Sequence, residues 1–307
     1  MTSVPRQRAA LALAALAISS VAGCSAASAP AKTPPAADTL IPVSAPSVSA
    51  VPTLDTVRGL NLPTEEYRPS EAQRNVIADA VRLKTAECMS QFGFGWATGT
   101  AHLPAPNQVD RLYGVSDLPT AQQRGYHLPA NSRKAGESRP EAVLSQAERL
   151  VLGGDPSGTY QGKPIPVGGC TAQARRLTLG VDDIDPTRLA DTITVGMWER
   201  SKADPRVVAV VAAWSECMKQ LGYKYSSPLD AGGDHPEWLR AADPSAAEIR
   251  TAVDDVRCKQ RTNVIGVWFT VESGYENAAI QLHLDELTQI KLQWEQAAAR
   301  AAHIVPD

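Results

Sequence analysis

The chain contains no C-x-x-C pair, which excludes the close ligand spacing of a structural zinc site and the dithiol of a redox centre. It has no G-x-S-x-G and no H-E-x-x-H, so neither a hydrolase nucleophile elbow nor a zincin helix is written into it. A basic excess is also missing. Lys and Arg number 30 against 33 Asp and Glu, a formal net charge of −3, with no cationic stripe of the kind nucleic-acid binding needs. Past the first two dozen residues there is no apolar run of transmembrane length. Strand-like alternation is scarce, which points to an all-α fold. With 43% hydrophobic residues in 307, the chain still has enough apolar material for a core in one or two domains.

What is present begins with a targeting signal. Arg6 and Arg8 precede the apolar run "AALALAALAISSVA", which is followed by "VAGC". This resembles the lipobox of bacterial lipoproteins. The resemblance implies processing after Val21, Ala22 and Gly23, a diacylglycerol on Cys24, and residence on the extracytoplasmic face of the cell membrane. The membrane itself is then a partner, through the lipid. Residues 1–23 are accordingly expected as signal peptide. Residues 24–63, almost wholly Ala, Pro, Ser, Thr and Val with Pro30, Pro34, Pro35, Pro42, Pro46 and Pro52, read as a disordered or extended tether. Residues 64–307 remain for the folded, helical domain.

Four cysteines are left: Cys88, Cys170, Cys217 and Cys258. An even count in an exported chain implies two disulfides, with three connectivities open. "ECMSQFGF" at 87–94 and "ECMKQLGY" at 216–223 share five of eight positions, and each is followed by one further cysteine. If the repeat is an internal duplication, with halves at about 70–180 and 186–275, the economical pairing is Cys88–Cys170 and Cys217–Cys258. The motif itself reads as a helix end. Gly93 and Gly222 take the left-handed C′ position, Phe94 and Tyr223 follow at C″, and Met89 and Met218 lie at C3 to pack on those rings.

Helix starts are expected at Ser70 with Gln73, at Asp185-Pro186, at Asp204-Pro205 and at Asp243-Pro244. Shorter helices are expected near 117–124, over about 140–152, and around Cys170. The run from Asp243 to about residue 302 has no proline after Pro244 and keeps a helical period. Such a long C-terminal helix is expected either to break at Gly274 or to project from the body.

Sites are harder to read. "GTYQGKP" lacks the full phosphate-loop spacing, and "VDDIDPT" lacks the glycine and distal glutamate of a calcium loop, so neither a cofactor nor a metal is expected. No catalytic constellation is identifiable. The Pro- and Gly-rich stretch 97–139 is the best candidate for binding, with Tyr113, Asp117, Arg124, Tyr126 and His127 beside Asp110 and Arg111. Tyr160 and Lys163 join it if Cys88–Cys170 draws the two loops together. "ECM-x-x-x-G-aromatic", the "GKPIPVGGC" loop at 162–170 and "DVRCK…VWFTVE" at 255–272 together resemble a group of actinobacterial exported helical proteins. That resemblance implies an envelope lipoprotein and brings no catalytic residues. The expected function is a non-catalytic lipoprotein that binds an envelope protein or cell-wall component. A wall-acting hydrolase using loop 97–139 and a transporter-associated solute-binding lipoprotein are the alternatives.

Overall fold

Helix boundaries follow local side-chain chemistry. In the computed structural model, which describes residues 43–98, 110–127, 144–154, 158–180 and 188–305, Ser70 and Gln73 form a reciprocal capping box. It opens α1 (Glu71–Gln91). Asp117 caps α2 (Leu118–Arg124), and Ser145 with Glu148 caps α3 (Gln146–Gly153). A two-residue antiparallel ladder, β1 (Thr159–Tyr160) and β2 (Lys163–Pro164), leads into α4 (Gly169–Leu179). After α5 (Arg188–Ala203), Asp204 and Pro205 begin α6 (Pro205–Gln220) as the sequence predicts. The short α7 (Asp230–Gly233) and α8 (Pro236–Arg240) precede three long helices, α9 (Ala246–Thr262), α10 (Val264–Leu282) and α11 (Leu284–Ile304). The fold is all-α, with eleven α-helices among the described residues.

Both copies of the repeated octapeptide end their helices alike. Phe94 N–H donates to Met89 O at 3.1 Å and Gly93 N–H to Ser90 O at 3.0 Å; Tyr223 N–H donates to Met218 O at 3.1 Å and Gly222 N–H to Lys219 O at 3.0 Å. These are the paired bonds of a Schellman motif, with Gly93 at φ +83° and Gly222 at φ +92°. The disulfides are Cys88–Cys170 and Cys217–Cys258, with Cα–Cα distances of 5.5 and 5.8 Å. They close loops of 82 and 41 residues, which is about 4 kcal/mol each by loss of unfolded-chain entropy. Their placement differs: Cys170 sits in the first turn of α4, Cys258 in the last turns of α9.

The long C-terminal run neither breaks at Gly274 nor projects. It breaks at Asn263, held in the left-handed region at φ 58°, and again at His283. Asparagine tolerates this conformation, and its side chain is occupied there: Oδ1 accepts from Leu54 N and Nδ2 donates to Pro52 O, both at 3.0 Å. Gly274 serves another purpose. A Cβ on it would lie 2.8 Å from the Pro46 ring, so the glycine lets an extended segment lie flat on α10. That segment is the second half of the expected tether. Val43, Val57 and Leu62 are buried, and Arg200 and Arg206 donate to Val43 O and Pro46 O at 2.7 and 2.9 Å. Residues 1–42, with the expected signal peptide and Cys24, lie outside the described residues, as do 181–187 with the expected cap at Asp185. The cap of α9 is Ser245, whose hydroxyl accepts from Glu248 N, rather than Asp243.

The largest core packs α5, α6, α9 and α10 around Trp214, Trp268, Ile193, Met197, Met218 and Ile265. A second cluster gathers Cys88, Met89, Phe92, Val151, Ile165 and Cys170 where α1, α3 and α4 meet. A third sets Ala297 and Ala301 of α11 against Ile77, Ala80 and Leu179. The last helix therefore folds back onto α1 and α4. Arg300 confirms the docking by donating to Thr178 O and Leu179 O, the final carbonyls of α4.

A Cβ added at Gly93 or Gly222 meets nothing within 4 Å, so only the left-handed backbone demands glycine there. Gly93→Ala and Gly222→Ala should each cost about 1 kcal/mol in urea unfolding. A loss several times larger at either site would show that steric crowding governs that helix end.

Candidate functional site

The stretch 110–127 is shaped by two glycines with positive φ. Gly114 (φ +76°) passes so close to α9 that a Cβ there would lie 2.9 Å from Lys259 Nζ. Gly125 (φ +55°) ends α2, and a Cβ on it would come within 2.6 Å of Glu248 Oε1. The chain then delivers Tyr126 N–H to Glu248 Oε1 at 2.9 Å. His127 follows, with Nδ1 at 2.7 Å from the same oxygen and Nε2 at 3.0 Å from Ala241 O. Arg111 closes the turn from behind, donating to Tyr126 O at 3.3 Å and His127 O at 2.9 Å.

Beneath this layer α9 carries a line of fully buried charge: Glu248, Asp255 and Lys259. Lys259 Nζ donates to Asp255 Oδ2 at 2.9 Å and to Val115 O at 2.8 Å. Asp255 also accepts from Trp214 Nε1 at 3.0 Å and Tyr126 Oη at 3.3 Å. Burial pushes the Asp255 carboxyl up and the Lys259 ammonium down, while each partner's charge opposes the shift of the other.

Above it stands a ladder of rings. Tyr126 stacks on Trp238 with centroids 5.9 Å apart, Trp238 on His235 at 3.8 Å, and Tyr225 on Tyr223 at 5.9 Å. Tyr225 Oη and His235 Nε2 join the two stacks at 3.0 Å. The ladder holds the α7–α8 excursion over the 111–126 turn, and between them lies a cavity of about 600 Å³. Its wall is mostly apolar, including Val115, Pro228 and Leu229. Three glycines, Gly114, Gly232 and Gly233, open it, and Arg111 and Arg240 are its charged lining residues.

The predicted binding residues divide accordingly. Tyr126 lines the cavity. His127 lies directly behind it, 3% exposed with both ring nitrogens engaged, so no nitrogen remains to act as a base toward a ligand. Tyr113 is a core residue, fully buried, with its hydroxyl donating to Glu272 Oε2 at 2.7 Å and its ring 5.3 Å from Trp268. Asp117 is a helix cap paired with Arg58. Arg124 occupies the last turn of α2, away from the cavity wall. Tyr160 and Lys163 do not join this site. Cys88–Cys170 draws their hairpin to the end of α1, where Tyr160 packs on Phe92 and Phe94 and Lys163 Nζ donates to Gln91 O at 2.7 Å. The rest of loop 97–139 lies outside the described residues.

Sequence reasoning missed residues 228–242, which supply the far wall. The signal available was "DAGGDHPEW", two glycines and a proline between long helices, which marks a structured turn but names no chemistry. Among the described residues no group of three or more His, Cys, Asp or Glu could hold a metal ion, and no helix is long and apolar enough to cross a membrane. Two disulfides are compatible with an extracytoplasmic location. No family model matches the chain, and no curated protein or solved structure is significantly similar to it.

Glu272 and Glu276, one turn apart on α10, are both fully buried, and each has one carboxylate oxygen without a hydrogen-bond partner among the described residues. Burial, with a smaller contribution from Glu276, pushes Glu272 up to about 8, against the opposing effect of the Tyr113 hydroxyl. Burial also raises Glu276, against the Thr64 hydrogen bonds. A carboxyl whose folded pKa exceeds its unfolded value holds its proton more tightly in the folded state. Its stabilisation is present below the unfolded value and is lost as pH rises through the folded one. Urea unfolding of the oxidised protein should therefore show stability falling by a few kcal/mol between about pH 4.5 and 8. Glu272→Gln should flatten most of that slope, and an unchanged slope would place the titration elsewhere.

Proposed function

We propose that this chain is a lipid-anchored, extracytoplasmic binding protein that holds a small molecule in the cavity between the 111–126 turn and the α7–α8 segment, without transforming it. The observation that carries the reading is the cavity itself. At about 600 Å³ it has the size of small-ligand sites, and apolar walls with a few placed polar groups are their usual lining. Lipid anchoring is supported by the "VAGC" sequence at Cys24 and by two disulfides that suit an oxidising compartment.

Binding is favoured over hydrolysis by the state of His127, whose two nitrogens are spent on Glu248 and Ala241. Among the readings drawn from sequence, solute binding gains most. The projecting helix that supported capture of an envelope protein is docked onto α1 and α4. A cell-wall component remains within this proposal only as a fragment small enough to enter the cavity.

Two measurements test it. Detergent phase partitioning should place the wild-type protein in the detergent phase and Cys24→Ser in the aqueous phase; identical partitioning would remove the lipid anchor. Native mass spectrometry of protein extracted from envelopes should show a small-molecule adduct. The adduct should be lost in Gly233→Trp, where a side chain has open space at the cavity. An adduct retained by Gly233→Trp would place the ligand elsewhere.

A further inference from the structure

The cavity has a sign. Among the described residues, Arg111 and Arg240 are the charged ones of its wall, and no acidic side chain lines it. Arg111 is the more informative of the two. The residue is half-buried, and burial pulls its pKa down against the opposing charge of Asp110. Its hydrogen bonds go to two backbone carbonyls, Tyr126 O and His127 O. Carbonyls orient a guanidinium without neutralising it. Among the described residues no carboxylate stands at ion-pair distance from Arg111, and two bonds leave three of its five N–H donors for another acceptor. A partly desolvated cation in that state gains most from an anion that arrives with the ligand.

Asp110, exposed and next to Arg111 in sequence, offsets part of this charge, while two further carboxylates nearby are hydrogen-bonded within the protein. Glu237, which feels the Arg240 charge, accepts from His235 Nδ1 at 2.8 Å. Asp255 is held by Lys259, Trp214 and Tyr126. Lys259 lies behind the wall at Gly114, and its pairing with Asp255 leaves no net charge there. The remainder of the lining is aliphatic or glycine, apart from the Tyr126 ring.

We infer that the cavity takes an amphiphilic anion: a carboxylate, phosphate or sulfonate head against Arg111 and Arg240, and an apolar body against Val115, Pro228 and Leu229. The inference rests on the small-molecule reading above and adds to it the charge and polarity of the ligand. Arg111 orients the head through its fixed fork, while Arg240, exposed on α8, supplies charge at the wall.

The test uses the full-length Cys24→Ser chain, with the fluorescent sulfonate 1-anilinonaphthalene-8-sulfonate as reporter. Decanoate, decanol and decyltrimethylammonium, all below their micelle concentrations, compete for it. Decanoate should displace the reporter at concentrations at least tenfold lower than either of the others. Arg240→Gln should reduce that advantage about fivefold, and Gly233→Trp should weaken the reporter and all competitors together. Equal displacement by the three competitors overturns the charge preference and leaves small-molecule binding standing. An advantage unchanged in Arg240→Gln overturns the head site as drawn, because Arg240 then supplies none of the discrimination assigned to it. Reporter binding unaffected by Gly233→Trp overturns both the preference and the cavity as the binding site.

Discussion

Asp255 and Lys259 form an ion pair that no water reaches, and the fold around the cavity is organised to make that pair tolerable. Removing two charges from water costs several kcal/mol per ion, and the attraction between them repays it only if the remaining donors and acceptors are satisfied. The partners come from well-separated parts of the chain. Trp214 donates from α6, Tyr126 from the end of α2, and Val115 offers a carbonyl from the turn before α2. Displacing any of them strands a buried charge, so the pair ties α2, α6 and α9 to one geometry. The Cys217–Cys258 bridge sits beside it, one residue from Lys259, and holds α6 and α9 together covalently.

The same helix carries Glu248 two turns earlier, and that carboxylate does for Tyr126 and His127 what Asp255 does for Lys259. Tyr126 is thereby fixed at both ends, its backbone on Glu248 and its hydroxyl on Asp255, with Arg111 clasping its carbonyl. Its ring anchors the aromatic ladder that suspends α7 and α8. The cavity is therefore held open by a rigid wall rather than by loose loops. Such pre-organisation spares a ligand the cost of ordering its site.

A separate set of forces builds the other end of the molecule. α1, α3 and α4 meet around Cys88–Cys170, and α11 returns to cover α1 and α4 with small residues, Ala297 and Ala301, that allow close approach. The stretch before α1 works as a strap. From Val43 to Leu62 it runs extended over α5, α6 and α10, held by Asn263, Arg200 and Arg206. An Ala- and Pro-rich segment that resembles a free tether is docked over its second half. Backbone hydrogen bonds from side chains of the body suffice to place it, and composition cannot report them.

The octapeptide repeat, the capping residues and the four cysteines showed a great deal on their own: an all-α fold, the helix starts at Ser70 and Asp204, both Schellman ends and, through the repeat, a preference among the three disulfide pairings that the structure then decided. Each of these depends on a handful of residues close in sequence, or on a covalent bond with few alternatives. Only the tertiary structure decided that the last helix docks, that His127 is a buried strut, and that Tyr160 and Lys163 belong to another cluster from Tyr126. It alone assembled the cavity, whose walls at 111–126 and 228–242 lie about a hundred residues apart. They are joined through carboxylates and carbonyls on α9 and the 115 turn, and backbone carbonyls leave no trace in side-chain chemistry. Local chemistry is legible in sequence because its partners are neighbours; a site built from burial and long-range hydrogen bonds exists only once the chain has folded.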